Sequence, residues 1–132
     1  MTATPYAEVD VSALPLIVVR VVGPLSEEGF QRYLGELLAA IQSHDRVALR
    51  LHAGALHAFP PRYVRVSAAW LREHRELFGQ RIAGLAMVLD SAALRLAVQA
   101  MVWAGRPSFP LHLTSRSEDA DAWLREQLGT SG

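Results

Sequence analysis

The chain predicts an α/β fold: one single-layer, mixed, mostly parallel sheet of five strands flanked by four helices, in the order β-β-α-β-α-β-α-β-α. Three observations carry that expectation. First, residues 82–89 are apolar without interruption, as in a strand buried on both faces, and Asp90 and Ser91 follow as cap residues for an apolar helical segment that stops at Gly105. Second, Leu16–Val22 is rich in β-branched residues and a short link joins it to a weakly alternating stretch at 6–11, which suits an antiparallel pair. Third, helical stripes alternate with the remaining strand-like runs, the pattern of helices crossing over a largely parallel sheet.

In order, residues 6–11 read as an edge strand ended near Ser12 and Pro15, and the second strand closes at Gly23-Pro24. Ser26 caps the next helix, with Glu27 and Glu28 in the first turn, where the helix dipole favours negative charge. Phe30, Tyr33, Leu34, Leu37, Leu38 and Ile41 recur at three-and-four spacing and form its apolar stripe. A short strand spans 47–51. A loop around Gly54 ends at Pro60-Pro61, which suits a helix start, and one helix is expected from there to Phe78, ended by Gly79. Its apolar side carries Tyr63, Val66, Trp70, His74 and Leu77; Arg62, Arg65, Arg72 and Glu76 lie opposite. Residues 109–114 read as an edge strand, since Pro110 has no N–H to donate. Ser117, Glu118 and Asp119 open a last helix that turns Ala120, Trp123, Leu124 and Leu128 inward. Residues 1–132 make a single domain, with 1–4 and 129–132 expected to fray.

Composition narrows the function classes. Thirteen Arg balance thirteen acidic residues, and there is no Lys or Cys. That balance predicts no nucleic-acid partner and no broad attraction to anionic membranes, and the absence of Cys removes disulfides and thiolate metal sites. No apolar run reaches bilayer length free of charges, and residues 1–5 do not resemble a signal peptide, so a soluble, cytoplasmic protein is expected.

The order of elements, with these residues, resembles the STAS fold in its branch of small bacterial anti-sigma-factor-antagonist-like proteins. The resemblance rests on the strand pair ending Val22-Gly23-Pro24, the helix with Pro61-Arg62 and Trp70-Leu71, the apolar strand before Asp90-Ser91, and the closing Ala120, Trp123 and Leu124. It spans nearly the whole chain, and the architecture is shared with lipid-carrying Sec14-type domains. The resemblance implies a regulatory module that docks on a partner protein and performs no chemistry. Phospho-switched members carry Asp-Ser-Ser/Thr-Gly in the turn after the third strand. Here residues 51–55 read Leu51-His52-Ala53-Gly54-Ala55, without a hydroxyl, so docking is implied and the phosphorylation switch is not. Asp90-Ser91 lies one strand later and reads as an N-cap.

Chemistry-bearing residues are sparse. His52, His57, Asp90, Ser91, Thr114 and Ser115 gather at the carboxyl ends of the strands. They lack the Gly-x-Ser-x-Gly elbow of a hydrolase, and the histidine spacing fits no recurrent zinc pattern. No enzyme activity, cofactor or metal is therefore expected. Two surfaces remain. On the helix ending at Gly105, Arg95 and Gln99 are the only long polar side chains, so Leu94, Leu96, Val98, Met101, Val102 and Trp103 spread further than one sheet face can cover. Leu96, Val102 and Trp103, with Arg95 and Gln99, form the candidate partner interface, for another protein or for a homodimer. Arg62, Arg65 and Arg72 form a second candidate patch for an acidic partner. The alternative is carriage of an apolar ligand or lipid in a pocket near Trp70, Leu94 and Trp103.

Overall fold

The computed structural model describes residues 6–22, 25–53, 61–89 and 91–129. Strands β1 (Tyr6–Ala13), β2 (Leu16–Val22), β3 (Val47–His52), β4 (Ile82–Val88) and β5 (Leu111–Thr114) form one sheet in the order β1-β2-β3-β4-β5. β1 runs antiparallel to β2, and the other three pairings are parallel. The expected fraying at 1–4 lies outside the described residues; Gly129 is described and ends the last helix.

Helices α1 (Glu27–Gln42), α2 (Pro61–Glu73), α3 (Arg75–Arg81) and α4 (Ala92–Gly105) contribute to one core against the first face of the sheet. Strand alternation supplies the other side of that core: Ile17, Val19 and Val21 from β2, Val47 and Leu49 from β3, Met87 from β4. Among the described residues, helix α5 (Ser117–Gly129) is the one helix on the second face. There a thinner core of Ala48, Ala86, Ala120 and Leu124 lies under it, over β3, β4 and β5. Adding parallel strands in one direction with crossovers of one hand places every crossover helix on the same side, which is why the layers are unequal.

Among the described residues five helices flank the sheet, not four. The helix expected from Pro61 to Phe78 breaks at His74, whose backbone (φ −107°, ψ 20°) leaves the helical region. The imidazole Nδ1 donates to the Trp70 carbonyl at 3.0 Å, beside the His74 N–H at 3.2 Å, so a side chain competes for the acceptor of the helical ladder. The break brings the Trp70, His74 and Phe78 rings into contact, with His74 tilted against Trp70 (centroids 5.6 Å apart) and stacked on Phe78 (5.3 Å). Phe78 becomes one of the most buried side chains of the molecule. Gly79 does not end this segment either; α3 continues to Arg81. The glycine instead admits the 108 turn, since a Cβ at residue 79 would lie 3.2 Å from Ser108 Oγ. Arg81 then donates to the carbonyls of Gln42 (3.2 Å) and His44 (2.8 Å), fastening the end of α1.

Gly105 has a related role. It is the last residue of α4, but the left-handed residue is Arg106 (φ 46°). A Cβ at 105 would meet Leu71 Cδ1 at 2.9 Å and Ala68 Cα at 3.2 Å, so the glycine is the point where α4 crosses α2.

Candidate functional site

Helix α4 begins where the apolar strand β4 leaves the sheet. Ser91 Oγ accepts from Leu94 N–H at 3.2 Å, so this serine is used as an N-cap. Arg95 does not stand free on the helix: its Nη1 donates to the Leu89 carbonyl at 2.7 Å and ties the first turn to the end of β4. Leu94 and Val98 are buried, and Val102 packs partly buried against the same core. Facing away are Leu96, 67 % exposed, and Trp103, 85 % exposed, with Gln99 between them. Ala92, Ala93, Ala100 and Ala104 are exposed around these three. Of the five residues expected at the interface, Leu96, Gln99 and Trp103 share the outer face, Arg95 is held at its edge, and Val102 turns inward. The side chain of Met101 lies outside the described residues. The outward-facing residues Leu96, Gln99 and Trp103 with the four alanines carry no charge, and Arg95 and Arg72 stand at the edges of the face. Among the described residues, Trp103 is the largest exposed apolar side chain.

Beneath the helix lies an apolar cavity of about 120 Å³ between the first sheet face and helices α1, α2 and α4. Trp70, Leu94 and Val98 line it, and Ser67 is among its few polar neighbours; Trp103 points the other way, into solvent. Helix α4 packs on α2 more closely than on any strand, which leaves this space under the pair. Burial has consequences nearby: the Tyr33 hydroxyl, inside the core, has its pKa pushed up by desolvation, and the Tyr63 hydroxyl donates to the Leu25 carbonyl at 2.6 Å.

The arginine patch on α2 is partly committed. Arg72 Nη1 donates to the Ala104 carbonyl at 3.0 Å, bracing the end of α4. Arg62 lies over the Tyr63 ring, 5.0 Å from its centroid, and Arg65 is exposed. At the carboxyl edge, His52 ends β3 and Thr114 ends β5; His57 and Asp90 lie outside the described residues. Among the described residues no three His, Asp or Glu side chains come together as a metal site, and no helix is long and apolar enough to cross a membrane.

A polar cluster on the second face of the sheet escaped the sequence reading. Arg50 is paired with Asp121 of α5, Arg20 and His52 are directly opposite in the β2–β3 register, and the Arg50 Nε and His52 Nε2 atoms are buried without hydrogen-bond partners. Burial lowers the His52 pKa, and the guanidinium groups of Arg50 and Arg20 lower it further. The available signal was phase: Arg20, Arg50 and His52 fall on the positions that alternate away from Ile17, Val19 and Leu49. Further along that face, His112 stacks on Trp123 with centroids 5.2 Å apart and bonds Asp119 at 3.0 Å. That bond, then one from Thr114, holds the Asp119 carboxyl below its usual range.

No family profile and no curated protein matches the sequence. Among solved structures, the chain is similar to an uncharacterised protein of the DUF3478 family, with a SpoIIAA-like fold, from Shewanella loihica PV-4. The two share 12 % identity at a TM-score of 0.69, over 94 % of this chain and 98 % of that one. At that identity the likeness speaks for the fold alone. The element order, the five-stranded mixed sheet and this match agree: the chain has a STAS-like fold of the SpoIIAA type.

Proposed function

We propose that this protein is a non-catalytic STAS-like interaction module that docks through the outer face of α4, and that the occupant of that face is a second copy of the chain. The carrying observation is the neutral face that presents Leu96 and Trp103. A twofold interface places the same patch on both sides, so a patch without charge meets itself without like-charge repulsion. Ala93 and Ala100, neighbours of Leu96 and Trp103 on the helix, leave shallow holes into which the larger side chains of the copy fit. Each large apolar side chain covered contributes about 1.5–3 kcal/mol before the cost of association, and the symmetry counts each of them twice. Residues 51–55 lack the hydroxyl of a phosphorylation switch, so docking is constitutive or set by concentration.

Sedimentation velocity across a wide concentration range, with wild type beside Trp103→Asp, tests this. The expected result is a wild-type dimer and a monomeric variant of unchanged melting temperature. A wild type that stays monomeric at the highest concentration overturns self-association. If it also retains no protein from a lysate that Trp103→Asp fails to retain, docking through this face is overturned as well.

The cavity favours a second reading, carriage of an apolar ligand. Its size decides how far that goes. A cavity of about 120 Å³ is comparable to the engineered one of roughly 150 Å³ that takes up benzene or xenon, and far below the roughly 300–1,000 Å³ of drug-sized ligand pockets. It holds a ring or a few methylenes; a lipid requires α2 and α4 to move off the sheet. Native mass spectrometry of freshly purified protein discriminates: a co-purifying acyl chain supports carriage, and a bare apo mass opposes it.

A further inference from the structure

We propose that the second sheet face, at the rim of α5, binds a small oxyanion, a phosphate or a carboxylate, through Arg20, Arg50 and His52. Among the described residues helix α5 packs mainly over β3, β4 and β5 and meets β2 at Leu16, so the β1 side of that face is the less covered one, and Glu8 and Arg20 stand exposed there. Arg20 is opposite His52 across the parallel β2–β3 pairing, and Arg50 precedes His52 by two residues on the same face. Three nitrogen-bearing side chains therefore converge at the rim of α5, without belonging to the docking face or to the cavity.

The hydrogen bonding of the cluster is incomplete. Arg50 gives Nη1 to Asp121, while its Nε is buried and unpartnered, as is His52 Nε2. A buried polar atom left unsatisfied costs about 1–3 kcal/mol, and two of them, on residues two apart on one face of β3, require an explanation. A guanidinium has two hydrogen-bonding edges; with Nη1 engaged by Asp121, the edge bearing Nε remains, and that edge suits two oxygens of one oxyanion. Arg20 makes no hydrogen bond with the described residues, although its charge helps lower the pKa of Asp10, and it is long enough to fold over from the solvent side. Three carboxylates are near: Asp121 on Arg50, Glu8 opposite Arg20, and Asp10 opposite Val18. At His52 itself the two arginines outweigh Asp121, so the local field there is positive. An oxyanion that accepts from the Arg50 Nε edge and from His52 Nε2 favours the imidazolium, because its negative charge stabilises the protonated ring. Binding is therefore accompanied by proton uptake at His52.

The test follows the His52 imidazole by NMR while inorganic phosphate, or separately acetate, replaces chloride at constant ionic strength. The expected result is a saturable shift of the His52 signals and a rise in its titration midpoint of about one unit, tenfold in proton affinity. Arg20→Gln, a change at an exposed side chain, should weaken the apparent affinity about tenfold with the melting temperature unchanged. His52→Gln should abolish the coupled proton uptake. A response to phosphate but not acetate, or the reverse, assigns the oxyanion class. No saturable response to either anion overturns the proposal, and so does a response that Arg20→Gln leaves intact. Dimerisation through α4 is read by a different measurement on the opposite side of the molecule, so the two ideas fail separately.

Discussion

At the scale of the residue, two neighbours at the end of α4 exchange the roles that their side chains suggest. Gly105 is read from sequence as the helix stop, yet it serves the crossing with α2, while Arg106 takes the left-handed conformation that glycine adopts without strain. Gly105→Ala should therefore destabilise the protein by about 1–3 kcal/mol through overpacking against Leu71 and Ala68. Arg106→Gly should stabilise it by up to about 1 kcal/mol. Urea denaturation of the two variants checks both signs. His52 supplies a pH dependence. Burial first, then Arg50 and Arg20, lowers its pKa in the folded state, so the unfolded chain binds the proton more readily. The contribution of this group is full above the ordinary histidine value of about 6.5. It is lost as pH falls through that value toward the lowered folded one, and is constant below. Thermal melts in phosphate-free buffer should show this loss in wild type and a flatter profile in His52→Gln. Asp119 and Asp10, whose pKa values are also lowered, act only further down, in the carboxylate range.

At the scale of the element, most boundaries were legible because local signals agree with tertiary demand. Ser26 and Ser91 cap α1 and α4 as their positions imply, with the hydroxyls accepting from Gly29 and Leu94. Ser91→Ala should cost about 1 kcal/mol, measured by chemical denaturation, and leave the outer face of α4 intact. The misjudged element was the segment after Pro61. A periodic apolar stripe runs through His74 unbroken, so periodicity alone predicts one helix; the break comes from a side-chain hydrogen bond to the Trp70 carbonyl and from aromatic stacking that one-dimensional spacing does not encode. The same limit applies to the candidate site. An over-apolar α4 is readable, and Leu96 and Trp103 do lie outside. That Val102 turns inward and Arg95 is spent on Leu89 follows from where the helix rests, which no count of apolar residues supplies.

At the scale of the whole molecule, stability should be uneven. The sheet centre, β3 and β4, is sandwiched between the larger core and the α5 layer, whereas the α2–α4 pair rests on itself above a cavity. Amides of α2 and α4 should exchange with solvent faster than those of β3 and β4; equal protection throughout would mean that the pair is fastened as firmly as the sheet. Element types, their order and the mostly parallel sheet were determined by the sequence itself, because caps, β-branched runs and helical stripes act over a few residues and need no distant partner. What only the tertiary structure decided was which greasy residues stay wet, which arginines are already spent, and that Arg20, Arg50 and His52 meet. Those depend on register between strands far apart in the chain and on how closely helices cross, and both are fixed by packing of the entire fold and not by any one segment.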